Sequence, residues 1–539
     1  MSEPNSIANA PLAAAEADRL RRAAGIRAAA RDWEGAAAML GEAVALQPGD
    51  AATWFVMAKA LENAGHPRRS HAAALKAQAA GPARWPHALA LARLLCAWHE
   101  VPPLRALAAS MQAWQAQAPV EEMMELADLL GRVDLHDEAL HWVQQVLARE
   151  PRHVRALYVR GTTHLFLGSM DEARADFEQA IALAPDHAHS HWRLAELRAG
   201  DRVGAPFRVQ RMRAQRERVA PGSEQDIYFS YALFDELHDL GEHDAAWEAL
   251  TRGARGKRAS FRYDAAADHA LLASIAATCD AGFVAGPGHD GDDDEPTPLF
   301  IVGMFRSGTT LLERLLAGHP DIADAGESGG FFARLRLAAD NTGPLSTGFL
   351  DIARQADPRA LGADFMGSQR WRARGRRFWT EKLPANVLLA GFIARALPRA
   401  RFLHMRRPPM DVCFSNLRML FGRACAYSYD QHELAGYYRS YTALTEHWRG
   451  VLGDRWLDID HADLVADPDT QMRRVLAHCG LPFDPSVLSL DDRGGAVSTA
   501  SAAQVRDGIR KADAPAWWPY REPLRPLADA LGVDPHAAG

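Results

Sequence analysis

Five prolines in the first half of the chain, Pro48, Pro82, Pro119, Pro151 and Pro185, follow one another at intervals of 34, 37, 32 and 34 residues. The stretches between them are rich in alanine and leucine at helical spacing. "DWEGAAAMLGEAVALQPGD" (32–50) and "MDEARADFEQAIALAPDH" (170–187) carry small residues at matching offsets before the terminal proline. Each period reads as a pair of helices. Small residues let the two helices approach, and proline ends the second because it lacks an N–H and clashes with the preceding turn. A helix pair of this size cannot bury its apolar face alone, so the period demands stacking into a solenoid. A degenerate copy runs through "FSYALFDELHDLGEHDAAWEALTRG" (229–253), where Gly241 and Ala246 hold the offsets. Six or seven copies fit between residues 15 and 258. An Ala-rich helical bundle without a repeat would not produce several agreeing spacings.

The pattern resembles the tetratricopeptide repeat. Residues 154–187 match it most fully, through Leu157, Gly161, Gly168, Ala173, Phe177, Ala180 and Pro185. The copy ending at Pro82 keeps Trp54, Gly65 and Ala77. The resemblance implies a concave surface that takes a protein or peptide and does no chemistry.

Past residue 258 the pattern changes. Residues 259–297 read as a connecting segment that ends in an acidic linker, "AGPGHDGDDDEPTP" (285–298). Beyond it, short apolar runs alternate with helical stretches: "LFIV" (299–302), "FWT" (378–380), "RFLHM" (401–405) and "WLDID" (456–460). That alternation predicts an α/β domain with a mainly parallel sheet over 298–539. In such sheets ligands sit at the carboxyl ends of strands. The loop after "LFIV" is placed there.

That loop, Gly303 to Thr310, has the glycine spacing of a phosphate-binding loop. Backbone N–H groups at a helix start attract anions, and Ser307, Thr309 and Thr310 add hydroxyls. A nucleoside-triphosphate loop of this kind needs a lysine directly after its second glycine. Thr309 stands at that position, and the loop's cation is Arg306, before Gly308. ATP is therefore a poor fit as the ligand.

"RSGTT" (306–310) after an apolar strand resembles the 5′-phosphosulfate loop of sulfotransferases, above all the tyrosylprotein sulfotransferases and bacterial fusions of tetratricopeptide repeats to a sulfotransferase domain. The resemblance implies a P-loop-type α/β fold and 3′-phosphoadenosine 5′-phosphosulfate (PAPS) as donor. It also implies transfer of a sulfuryl group to a hydroxyl, without a metal. Its donor contacts fall on Arg306, Ser307, Gly308, Thr309 and Thr310. "HPDIADAGES" (319–328) resembles the segment of the catalytic glutamate, here Glu327, and "FWTEKLPAN" (378–386) the strand of the transition-state lysine, here Lys382. "HMRRPPMDVCFSN" (404–416) resembles the 3′-phosphate motif, whose arginine and serine fall on Arg407 and Ser415, with Arg406 the alternative arginine. "STASAAQVR" (498–506) resembles the loop that closes on the donor, and its serine falls on Ser501. Two departures stand out. Pro408-Pro409 replaces the usual Asp-Pro, which removes a capping carboxylate. Ala516 precedes Trp517 where relatives carry a basic residue, a role left to Arg510 or Lys511.

The same residues support these assignments chemically. Charge builds on the bridging oxygen during an in-line transfer, and Arg306 and Lys382 are the cations to meet it. Glu327 would take the acceptor proton. A guanidinium fork with a hydroxyl, Arg407 with Ser415, suits a dianionic phosphate. Asp411 reads as a cap or an orienting group, and His319, His404 and His461 as structural. "RWRARGRRFW" (370–379) reads as a solvated helix face leading into a strand, and residues 342–364 as part of an acceptor cleft.

A formal net charge of -7 gives no general attraction to nucleic acid or anionic lipid. No long uncharged apolar run predicts a membrane span. Five scattered cysteines, no CxxC pair and an N-terminus without a basic and apolar leader suit a reducing, cytoplasmic setting. The repeats would recruit an acceptor or partner, or mediate homodimerisation. Two other functions compete: a degenerate, inactive nucleotide-binding scaffold, supported by Pro408 and Ala516, and an NTP-dependent kinase or ATPase, opposed by Thr309. Peptide tyrosine as acceptor follows from the resemblance alone.

Overall fold

The computed structural model describes residues 6–198, 201–292, 294–489 and 514–536. The chain divides into two compact units that do not follow sequence order. One is Met1–Ala148 with Gly329–Ser368, the other Arg149–Ser328 with Gln369–Gly539.

The first unit opens with paired helices, Ser6–Ala29 with Trp33–Leu46 and Ala51–Asn63 with Pro67–Ala80. The pairing continues to the helix that starts at His136. Pro48, Pro82, Pro151 and Pro185 each stand two residues past a helix end, at Leu46, Ala80, Arg149 and Leu183. Residues 329–368 add the helices Gly330–Ala338, Thr347–Ala353 and Pro358–Gln369 to this unit. A buried ion pair ties them to the early repeats. Arg334 Nη1 donates to Glu100 Oε1 at 2.8 Å, and His71 Nε2 lies 2.6 Å from the same oxygen. Residues 342–364, expected at an acceptor cleft, therefore fold with the first repeats.

The second unit contains the later repeats and the sheet. In the pair Val154–Leu167 and Met170–Leu183, a Cβ at Gly161 would come within 2.7 Å of the Phe177 ring. Glycine there is what lets the two helices touch, as the repeat spacing predicts. The helices Ala188–Leu197 and Ala205–Arg216 follow and both pack on Glu224–Leu240, which pairs with His243–Ala259. They are bonded to the sheet-bearing segment. Arg258 Nε donates to Glu433 Oε2 at 2.6 Å, Tyr231 OH to the Leu417 carbonyl at 3.4 Å, and His238 Nδ1 lies 2.8 Å from Tyr520 OH.

Five parallel strands form the sheet: β1 (Thr297–Gly303), β2 (Ile322–Ala323), β3 (Phe378–Lys382), β4 (Arg401–Arg406) and β5 (Trp456–Asp460), in the order β2-β3-β1-β4-β5. The four strands expected from the apolar runs are present. β2 carries too short a pattern to read. All seven residues of β1 are buried, as a central parallel strand covered on both faces requires. Leu299 and Ile301 of β1 pack with Leu312, Leu316, Leu403 and Ile459. Because neighbours lie on both sides of β1, the loop at its carboxyl end opens where the strand order reverses, the usual crevice for a ligand.

Removing the ring that fills the Gly161 contact is expected to unravel one repeat. Phe177→Ala should cost about 3–5 kcal/mol, read as lost amide-exchange protection across Val154–Leu183.

Candidate active site

Strand β1 ends at Gly303, and the helix Thr309–Leu316 begins six residues later. Between them the chain makes a tight loop whose shape depends on its glycines. Gly308 has φ +100, and a Cβ there would come within 2.4 Å of the His461 ring. A Cβ at Gly303 would meet Ser307 Oγ at 2.6 Å and the Met405 carbonyl at 2.9 Å. Arg306 also adopts a left-handed backbone, φ +70, which costs a non-glycine residue about 1–3 kcal/mol. That turn aims its guanidinium at the helix Pro409–Leu417, where Arg306 Nε donates to Ser415 Oγ at 3.2 Å. Two bonds brace the loop from the same side. Arg407 Nη1 donates to the Arg306 carbonyl at 3.1 Å, and Asn416 Nδ2 to the Phe305 carbonyl at 2.7 Å.

Three guanidiniums therefore crowd one spot. Burial, then Arg418 and Arg407, push Arg306 down to about 10. Burial also lowers Arg407. Nearby carboxylates compensate only in part: Asp235 is 3.4 Å from Arg418, and burial raises its own pKa to about 7. Ser307 Oγ is buried in the same loop without a hydrogen-bond partner. Thr309 and Thr310 are buried at the helix start. An orphaned hydroxyl, a glycine-shaped cradle and an excess of guanidinium charge fit an anionic phosphosulfate or bisphosphate. Arg406 turns the other way, exposed and 3.6 Å from Asp460, so Arg407 is the arginine that reaches the loop.

The next strand, β3, ends in Lys382, whose side chain has no solvent exposure. Lys382 Nζ donates to Glu327 Oε1 at 2.7 Å and lies 3.8 Å from Glu313 Oε2. Glu327 sits in the coil after β2, and three bonds seat that coil. Lys382 N donates to the Gly326 carbonyl at 3.2 Å, Ala325 N to Thr380 Oγ1 at 3.1 Å, and Gly326 N to Glu313 Oε1 at 3.0 Å. Arg372 is not solvated as its basic stretch suggests. It is buried, and its Nη1 donates to the Ala325 carbonyl at 2.7 Å, because the coil's carbonyls need donors.

Of the residues expected at the site, Arg306, Arg407 and Ser415 meet at the loop, and Glu327 and Lys382 meet beside it. Ser307, Gly308, Thr309 and Thr310 form the loop and helix start. Ser501 lies outside the described residues, as do Arg510 and Lys511. The helix after Pro408 starts without a side-chain cap, but Pro409 at its first position supplies the helical φ instead. His319 and His404 have structural partners. His319 Nε2 is 3.1 Å from the Pro482 carbonyl, and His404 lies 2.6 Å from both Asp458 Oδ1 and Tyr441 OH.

Comparison with known proteins places the chain in context. Residues 298–485 match the model of the sulfotransferase family. The chain thus carries a sulfotransferase domain preceded by tetratricopeptide repeats, which match at residues 124–188 and 158–201. An uncharacterized protein of Aquifex aeolicus (strain VF5) is 24% identical over 409 residues, covering 73% of this chain and 52% of its own, so the chain spans about half that relative's length. Protein-tyrosine sulfotransferase 1 of Danio rerio is 24% identical over 308 residues, covering 50% of this chain and 80% of its own. The sulfotransferase domain of the Synechococcus PCC 7002 olefin synthase is 22% identical, covering 46% of this chain and 98% of that one, with a TM-score of 0.27.

The geometry brings two further residues of the sulfotransferase domain to the site: Glu313, which sequence reasoning missed, and His461, which it read as structural. Glu313 is one turn past Thr309 on the loop's own helix, and that i, i+4 spacing from a loop residue was the available signal. His461 follows β5 and packs on Gly308; no motif marks it. Burial and Arg407 push His461 down to about 4, from an ordinary 6.5. A histidine kept neutral when folded takes up its proton on unfolding, so stability is full above about pH 6.5 and falls as pH drops toward 4. His461→Gln should flatten that part of the curve, measured as urea midpoints of both proteins across the window.

Proposed function

We propose that the chain transfers a sulfuryl group from PAPS to a hydroxyl acceptor. The observation that carries this reading is the pairing of two features at adjacent strand ends. One is a phosphate loop whose cation is an arginine bonded to Ser415 and braced by Arg407. The other is a buried lysine bonded to a carboxylate. Thr309 in the lysine position argues against a nucleoside triphosphate.

The donor supplies the sulfuryl group: the sulfur–oxygen bond to its 5′-phosphate breaks, the electron pair stays on the nucleotide, and the acceptor oxygen bonds sulfur. The chain's residues do the rest. The loop amides with Ser307, Thr309 and Thr310 hold the 5′ end, and Arg407 with Ser415 hold the 3′-phosphate. Arg306 and Lys382 meet the charge that develops on the departing oxygen. Glu327 receives the acceptor's hydroxyl proton. Its present bond to Lys382 holds it near the lysine until an acceptor arrives. Ser501 would add a hydroxyl from a loop closing over the donor. The reading invokes no metal, since fixed cations serve the leaving group.

The similarity to a protein-tyrosine sulfotransferase favours a tyrosine hydroxyl in a peptide as acceptor. The repeats, nominally residues 15–258, would hold that peptide, a partner protein or a second copy of the chain. Among the described residues no helix is long and apolar enough to cross a membrane.

The test is transfer of radiolabelled sulfate from PAPS to tyrosine peptides, phenols and sugars. Glu327→Ala should lower kcat about 10²- to 10⁴-fold. Arg306→Ala should lower it about 10²- to 10³-fold with little loss of fold stability. Donor binding without transfer across the panel would favour a nucleotide-binding scaffold, and full activity of Arg306→Ala would overturn the loop assignment.

A further inference from the structure

Lys382 has two carboxylates, and only one has a role so far. Glu313 is buried, and its Oε1 is committed twice, accepting from Thr380 Oγ1 at 2.8 Å and from Gly326 N at 3.0 Å. Its other oxygen, Oε2, lies 3.8 Å from Lys382 Nζ. A glutamine could accept both of the Oε1 bonds without bringing a charge into the interior. Among the described residues, the cation beside that carboxylate is the ammonium of Lys382. Burial pushes the Glu313 pKa up, and Lys382 pulls against it.

The need for that charge arises during transfer. Glu327 starts as the near partner of Lys382 and, as the proposed base, becomes neutral when it takes the acceptor proton. A buried ammonium that loses its near anion before charge has built on the leaving oxygen is destabilised. Glu313 is not placed to follow the same course, because it is buried and its bonds to β3 and to the Gly326 amide hold it in place.

We infer that Glu313 is a positioning residue for sulfuryl transfer, a fixed counter-charge that holds the Lys382 ammonium in place once Glu327 is protonated. The inference rests on the function proposed above. It adds a division of labour between two carboxylates on one lysine: Glu327 exchanges the proton and Glu313 does not. It also links the loop helix, β3 and the Glu327 coil through a single side chain.

The experiment compares wild type, Glu313→Gln, Lys382→Met and the double variant as full chains, with labelled PAPS and 4-nitrophenol or a tyrosine peptide as acceptor. Glu313→Gln should lower kcat about 10- to 100-fold while both KM values stay within about two-fold. Binding of adenosine 3′,5′-bisphosphate, read by thermal shift, should be unchanged. The double variant should be no slower than Lys382→Met, because both act on one ammonium. A kcat for Glu313→Gln within about two-fold of wild type, or losses that multiply in the double variant, would overturn the inference and leave the sulfotransferase reading standing. If Glu313→Gln does not fold, Thr380→Val decides: a lower kcat at unchanged donor KM supports the inference, and an unchanged kcat overturns it. No transfer by the wild type would remove the function and this inference together.

Discussion

A lysine side chain without solvent exposure is the constraint around which this site is built. Lys382 ends β3, one strand from the phosphate loop, and its ammonium would be untenable there alone. Glu327 meets it at 2.7 Å and Glu313 at 3.8 Å. Those two contacts oblige the coil after β2, the loop helix and β3 to converge, and the backbone bonds around Gly326 follow from that convergence. The same arrangement places a proton acceptor and a cation at hydrogen-bond distance, which is what transfer to a hydroxyl requires.

The loop after β1 poses the same problem, buried positive charge, with fewer carboxylates to meet it. Its glycines remove the Cβ atoms that would fill the cradle, and its arginine is held in a left-handed backbone. Burial, and then the neighbouring Arg418 and Arg407, lower Arg306 to about 10. A protein tolerates such an excess of like charge where an anion relieves it. An arginine in place of a lysine also changes what such a loop is suited to. A planar fork bonded to Ser415 is suited to a fixed oxyanion geometry, whereas a lysine acts as a mobile point charge.

The division into units shows how tertiary contacts can override the order of the chain. Residues 149–258 read as repeats continuous with those before them, yet bonds such as Arg258–Glu433 and Tyr231–Leu417 bind them into the sheet-bearing unit. Residues 329–368 follow Glu327 directly in sequence, yet the buried Arg334–Glu100 pair holds them with the first repeats. Neither pairing has a local signature, since the partners are separated by more than a hundred residues.

What the amino-acid sequence determined by itself was local and periodic. Proline spacing and small residues specified helix pairs, apolar runs specified four of the five strands, and the "RSGTT" stretch specified a glycine-shaped turn between a strand and a helix. Each of these depends on residues within one helix pair or one strand-turn-helix. Tertiary structure alone decided which charges meet: that Arg407 rather than Arg406 braces the loop, that Arg372 is buried against a carbonyl, and that Glu313 joins Glu327 on Lys382. Electrostatic partnership depends on distances between segments far apart in the chain, and a one-dimensional pattern does not carry those distances.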